Sequence, residues 1–316
     1  MAALGALVVA PLSAATPKLA RTYRVAWLTP SDVPELEREF RAAMSRRGYV
    51  EGKNVVYESL SAKDNVDSLP SLAARLVATP IDVIVAVSPY AILAARQATR
   101  SIPIVMAFWG GEGLIESGFV NSLARPGGSV TGISMLADEL EGKRLEFLLQ
   151  AVPAARRIGV LWQSTDFESA NAERIARIAH VELKVVVAGD SGDRYREAFA
   201  TFARDRADAL LVPSLPRFFR DARQIIELAS AQRLPAIYEW PIMADQGGLL
   251  AYGPKLEALE DRVATFVDRI LKGAKAGELP IEQPSTFELV VNQRTARAMD
   301  LHLPSSLLVR ADRVIA

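Results

Sequence analysis

A chain of 316 residues, half of them hydrophobic, can bury a sizeable core; this excludes disorder and, being longer than a usual single domain, points to two. Formal net charge is zero with both signs dispersed, which excludes a nucleic-acid surface or a basic face that coats membranes. Cysteine is absent, which excludes a thiolate nucleophile, a Cys-ligated metal, a disulfide framework and the lipid-bearing cysteine of a lipoprotein.

The first stretch, MAALGALVVAPLSAATPKLA, runs apolar from Ala2 to Leu12 and then small at Ser13, Ala14 and Ala15. That resembles a secretory h-region and cleavage site without its basic n-region, so residues 1–21 are expected to be a truncated signal peptide. No other run approaches the ~18 to 20 apolar residues of a membrane span, and no stable membrane insertion is expected.

Short β-rich apolar runs then alternate with amphipathic stretches, the signature of βαβ units around a parallel sheet. Strands are predicted at Arg24 to Leu28, Asn54 to Leu60, Asp82 to Val87, Ile102 to Phe108 and Val130 to Ser134, with helices at Pro34 to Arg47, Val66 to Ala78 and Pro89 to Thr99. The pattern restarts with strands at Arg157 to Trp162, Glu182 to Ala188, Asp208 to Pro213 and Leu234 to Trp240. Their helices are Ser169 to Ala179, Arg194 to Arg204 and Phe219 to Gln232. RVAWL pairs with RIGVL, IDVIVAVSP with ADALLVPSLP and IPIVMAFW with LPAIYEWP, each about 130 positions downstream, a period of one lobe. The fold expected is α/β, with two doubly wound parallel-sheet lobes joined by a multi-strand hinge.

GGLLAYG (Gly247 to Gly253) reads as a strand crossing between lobes, and the helix Leu256 to Leu271 after it as part of the first lobe. Lobe 1 is thus expected to hold residues 22–132 and 249–285, and lobe 2 residues 133–248 and 286–316. Hinges are expected near Val130 to Ser134, Leu249 to Gly253 and Pro284 to Val291.

GYVEGKNV (Gly48 to Val55), LARPGGSVTGIS (Leu123 to Ser134), ELEGKRLEFLLQAVP (Glu139 to Pro153), RLPAIYEW (Arg233 to Trp240), GGLLAYGP (Gly247 to Pro254) and FELVVNQRTARAMDL (Phe287 to Leu301) together resemble the ABC transporter substrate-binding protein family. Some members of that family take up tryptophan or phenylalanine. The resemblance, over about Arg24 to Ile315, implies a type I periplasmic-binding-protein fold, capture of a small aromatic or amino-acid-like ligand by lobe closure, and delivery to the membrane permease of an ABC importer. It implies a periplasmic location, and a monomer without cofactor is expected. Amino-acid binders of the family tend to carry Asp or Asn after the second lobe's third strand, where this chain reads Pro213, Ser214, Leu215, Pro216. The family's Gly-Gly-Asp-Pro loop reads Gly110, Gly111, Glu112, Gly113 here.

Ligands of open α/β sheets sit beyond the carboxyl ends of the strands. That rule nominates the loops Thr29 to Asp32, Val87 to Tyr90, Phe108 to Glu112, Gln163 to Phe167, Ser214 to Phe218 and Tyr238 to Trp240, and within them Thr29, Ser31, Ser88, Pro89, Tyr90, Trp109, Gly110, Glu112, Ser164, Thr165, Ser214, Tyr238 and Trp240 as site residues. Ser88 before Pro89 reads as an N-cap and first-turn pair whose helix end could take a ligand anion. Ser164 and Thr165 could add hydroxyls from the second lobe. Tyr90, Phe108, Trp109, Trp162, Tyr238 and Trp240 could form aromatic walls, with cleft and core equally open to Trp109 and Trp240, whereas Trp27 alternates into a core. Glu112, Asp166 and Glu239 are the acidic candidates for a ligand cation and Arg217 the basic one for an anion.

Two other function classes can be weighed. An α/β enzyme acting on a small molecule would need catalytic groups, but the only histidines, His180 and His302, lie outside the nominated loops, and GGEG falls short of G-x-G-x-x-G. A carboxylate pair such as Asp166 and Glu239 could serve a glycoside hydrolase only at a fixed separation. The effector-binding domain of a regulator would need a helix-turn-helix of about 50 residues before the first strand, which starts here at Arg24.

Overall fold

A computed structural model of the chain describes residues 21–109, 114–115, 118–163, 169–189 and 193–316, with residues 137 and 138 described for their backbone alone. The leader expected at 1–21 lies outside them except for Arg21.

The first sheet takes β1 (Tyr23–Thr29), β2 (Val55–Ser61), β3 (Val83–Val87), β4 (Ile104–Trp109) and β5 (Val130–Ser134), with α1 (Pro34–Arg46), α2 (Leu69–Val77) and α3 (Ser88–Ala98) between them. It is wholly parallel in the order β2-β1-β3-β4-β5. Helices cover both faces, so β3 reads VIVAV and is buried at every residue instead of alternating.

The second lobe follows with α4 (Ala137–Ala151), β6 (Arg157–Trp162), α5 (Ala170–Ala179), β7 (Glu182–Val187), α6 (Arg194–Arg204), β8 (Ala209–Val212), α7 (Pro216–Arg220), α8 (Ala222–Ala231), β9 (Ala236–Tyr238), α9 (Pro241–Asp245) and β10 (Leu250–Gly253). After α10 (Leu256–Leu271) come β11 (Glu288–Asn292), α11 (Gln293–Ala298), α12 (Ser305–Arg310) and β12 (Arg313–Ile315). The second sheet runs β12-β11-β10-β9-β8-β6-β7, so β7-β6-β8-β9-β10 repeats the winding of the first sheet strand for strand.

That repeat corrects the expectation for residues 249–253. They are not a bare crossing attached to lobe 1 but β10, the second lobe's counterpart of β5, parallel to β9 and antiparallel to β11. The chain passes between lobes just after it, at 254–255, as well as at 135–136 and 283–287. α10 packs on α1, β3, β4 and β5, which places it in lobe 1. Arg47 fixes it there through Asp261 at 2.8 Å and Thr265 at 2.7 Å, and holds the Asp261 carboxyl down at about 2.

Two local expectations also change. The helix predicted over 219–232 is two helices meeting at Asp221, whose carboxylate accepts from Tyr195 Oη at 2.7 Å and from Arg220. α4 was not among the predicted helices, although it anchors the cleft described below.

Where α10 faces the sheet it buries Glu260 completely, with no hydrogen-bond partner for either carboxylate oxygen among the described residues. Burial, reinforced by Glu39, holds this carboxyl well above its ordinary 4.5. The folded state therefore keeps a proton that the unfolded chain releases above that value, and stability falls as pH rises through it. Glu260→Met should raise stability at pH 7 by about 1–3 kcal/mol, the cost of an unsatisfied buried polar group, and the gain should shrink towards pH 4. Urea unfolding of both proteins at the two pH values checks this.

Candidate ligand-binding cleft

In each sheet the order of strands reverses between the first and third strands of the lobe, β1/β3 and β6/β8, and crevices open at such switch points. The two crevices face one another across a single cleft of about 420 Å³. Lobe 1 supplies Pro30 and Ser31 after β1, Val87 to Tyr90 at the β3–α3 turn and Phe108 from β4; lobe 2 supplies Trp162, Gln163, Ser214 to Arg217, Phe219, Glu239 and Trp240.

Lobe 1's wall is conformationally strained. Eight described non-glycine residues have positive φ, and three of them line the cleft: Asp64 (71°), Ser88 (76°) and Phe108 (66°). Such backbone survives only where its surroundings over-determine it, as at ligand clamps. At Phe108 the cause is a bulge: the register of β4 on β5 slips between Met106 and Trp109. Gly132 of β5, with φ +130°, sits so close to Met106 that any Cβ would strike its backbone. The slip sends Phe108 into the cleft and Trp109 to the opposite side, against Phe119 in the lobe 1 core.

Ser88 corrects the capping expectation. Val87 is the N-cap of α3, Ser88 the first helical residue, and its Oγ makes no cap bond. Instead this buried hydroxyl lines the cleft with no hydrogen-bond partner among the described residues. The unpaired N–H groups of a helix's first turn and the positive end of its dipole make such a position favourable for an anion.

Aromatic side chains form the cleft's middle. Trp240 meets Phe108 edge-on at 5.8 Å across the lobes and Phe219 at 6.0 Å within its own, and the half-buried Trp162 and exposed Tyr90 extend the wall. The lobes also touch through Gln163, which donates to Tyr90 Oη at 2.5 Å, and through Asp64, which faces Arg220 at 3.0 Å and accepts from Ser31 at 2.7 Å.

Beneath the aromatics lies a buried charge cluster. Arg144, fully buried on α4, donates to Glu141 Oε1 at 2.8 Å and to the Tyr252 carbonyl at 2.8 Å, and pairs with Glu239 at 3.2 Å. Glu239 follows β9 and is 3% exposed. Burial pushes its carboxyl up to about 7, with Arg144 opposing and Glu141 adding to the rise. Arg217, also buried on the cleft wall, donates to the Ala188 carbonyl at 2.5 Å.

Of the residues nominated from sequence, Ser31, Ser88, Pro89, Tyr90, Ser214 and Trp240 come together in the cleft, as do Arg217 and Glu239. Three do not line it. Thr29 is buried, its hydroxyl spent on the Ser31 carbonyl at 2.9 Å; Trp109 is turned inward by the bulge; Tyr238 is a core residue of β9, fully enclosed. Gly110, Glu112, Ser164, Thr165 and Asp166 lie outside the described residues. His180 ends α5 and His302 follows α11, neither of them on the cleft. Sequence reasoning did not nominate Asp64, Glu141, Arg144 or Phe219. A signal for the second and third existed: Glu141 and Arg144 stand at i, i+3 on a helix whose neighbouring Leu140, Leu145 and Leu148 are all apolar.

A family model described as ABC transporter substrate binding protein matches residues 35–315, nearly the whole length. The chain belongs to that family. Within reach of the family, a tyrosine-binding protein of Clostridioides difficile (strain R20291) is 27% identical over 269 residues, 84% of this chain and 76% of that protein. Among solved structures, a conserved domain protein from Vibrio cholerae superposes with a TM-score of 0.81 at 23% identity, covering 93% of this chain and all of that one. An ABC domain from Streptococcus pneumoniae in complex with L-Trp does so with a TM-score of 0.78 at 21% identity, with the same coverage. These likenesses give the fold, the type I periplasmic-binding-protein fold of the family. No described helix is long and apolar enough to cross a membrane.

Proposed function

We propose that this protein is the extracytoplasmic, periplasmic substrate-binding component of an ABC importer, a monomer that captures a small aromatic amino-acid-like ligand and hands it to a membrane permease without transforming it. The observation that carries the reading is the cleft itself: an aromatic middle of Phe108, Phe219 and Trp240, with an unpartnered hydroxyl on a helix N-terminus on one lobe and a buried charge cluster on the other. An apolar body bearing charged groups would find its complements there, and about 420 Å³ suits a molecule of amino-acid size. Family membership supports the importer role, and the tyrosine-binding relative supports an aromatic amino acid as cargo.

In this reading the open form takes ligand on one lobe, and rotation about the three crossings brings up the other and excludes water. Thermal unfolding of the protein against amino acids, aromatic acids, sugars and nucleosides tests it. An aromatic amino acid at 100 times its Kd should stabilise the fold by about 2.7 kcal/mol, because it binds the native state alone. Stabilisation by sugars or nucleosides with silence from aromatic amino acids would overturn the ligand class, and turnover of any bound compound would overturn the binding-only role.

A further inference from the structure

We propose that Glu239 is the cation anchor of the cleft: its second carboxylate oxygen receives the ligand's ammonium group, and the proton that the empty site holds there leaves to solvent as the ligand arrives. The proposal deepens the reading above and rests on it.

The geometry carries it in three steps. Glu239 lines the cleft; its Oε1 faces Arg144, whereas its buried Oε2 has no hydrogen-bond partner among the described residues. Arg144 is shared, since the same guanidinium serves Glu141 and the Tyr252 carbonyl. Among the described residues of this cluster, one buried guanidinium faces two buried carboxylates, one negative charge more than it balances, and Phe108, Met135 and Trp240 line the same cleft.

An excess charge removed from water is neutralised either by a proton or by a counter-ion. Without ligand the proton does it, which is why burial holds Glu239 near 7 in spite of Arg144. An ammonium group docked on Oε2 replaces that proton: the O–H bond breaks, the proton goes to solvent, and a charge-assisted N–H···O contact forms in its place. Glu141 and Arg144 from α4 act directly on this carboxyl, and the other charged groups lining the cleft among the described residues are Arg217 from α7 and Asp64 from lobe 1. Ser88, equally unpartnered and on the opposite lobe, leaves the ligand's carboxylate a separate place to dock.

Isothermal titration calorimetry with L-tyrosine, L-tryptophan and the deaminated acid 3-(4-hydroxyphenyl)propanoate, in buffers of different ionisation enthalpy, tests the exchange. The wild-type protein should release about half a proton per amino acid bound at pH 7. Its Kd should weaken roughly 30-fold between pH 8 and pH 5.5, as expected for one proton displaced from a group near 7. Glu239→Gln should weaken amino-acid binding at pH 8 by a similar factor and flatten the pH dependence, whereas the deaminated acid, which brings no ammonium to replace the proton, should lose no affinity in the variant. Amino-acid binding without proton release, or undiminished in Glu239→Gln, would overturn the anchor while leaving the cleft's ligand class standing. Failure of all three compounds to bind the wild-type protein would overturn both. The proton count needs no variant, so it stands even if Glu239→Gln folds poorly.

Discussion

Arg144→Met should cost about 3–5 kcal/mol of stability at neutral pH, the usual penalty for removing one partner of a buried ion pair and leaving the other uncompensated. Two carboxylates depend on this guanidinium, and it also satisfies the Tyr252 carbonyl, so the substitution removes three partners at once. Methionine keeps the apolar stem but lacks the outer atoms of the guanidinium, so some loss of packing adds to the electrostatic cost. The sign with pH separates the electrostatic cause from a packing defect. Without Arg144, which opposes the rise, burial and Glu141 hold the Glu239 carboxyl further above its ordinary value, so the folded variant retains a proton that its unfolded chain gives up. Its stability deficit should grow from pH 5 to pH 8, whereas a packing defect would be the same at both. Adding Glu239→Gln to Arg144→Met should return part of the loss, because the charge left stranded is then gone. Denaturant unfolding of the single and double variants at the two pH values measures all three quantities.

The fold was legible because its main signals are local. Buried parallel strands such as VIVAV and RIGVLW stand out as β-branched runs, and the restart at Arg157 announces a second lobe. The error at β10 came from counting four strands in the second repeat although the first had five. Residues 250–253 read equally well as a crossing, and only the pairing with β9 and β11 tells a sheet strand from a linker. The cleft's rim was legible for a similar reason: strand ends at a switch point must meet, which placed Ser31, Ser88, Tyr90, Ser214 and Trp240 together. Side-chain direction was not. Alternation along β4 cannot reveal a one-residue slip caused by the close approach of Gly132, and that slip exchanges the roles of Phe108 and Trp109. Nor could a count of charges show that Glu141, Arg144 and Glu239, nearly a hundred positions apart at the extremes, meet in the wall of the cleft.

That exchange of roles yields the second large effect, a pair of tryptophan variants with opposite consequences. Trp240 sits between the lobes, edge-on to Phe108 from one and Phe219 from the other, and lines the cleft. Trp240→Ala therefore removes both a ligand wall and an apolar contact that holds the lobes closed. Affinity for the aromatic amino acid identified by thermal unfolding should fall about 100-fold, the equivalent of roughly 2.7 kcal/mol, much of what a buried aromatic contributes at an interface. Trp109, next to Phe108 in sequence but on the far side of the sheet, packs with Phe119, Leu114 and Val120 in the core of lobe 1. Trp109→Ala should cost about 3–5 kcal/mol of unfolding free energy, the range for a large aromatic deleted from a core. Its Kd, measured by calorimetry below the unfolding transition, should stay within about threefold of wild type, since no atom of Trp109 lines the cleft. Equal losses of affinity in the two variants would mean that the bulge in β4 does not hold in solution, and that Trp109, not Phe108, faces the ligand.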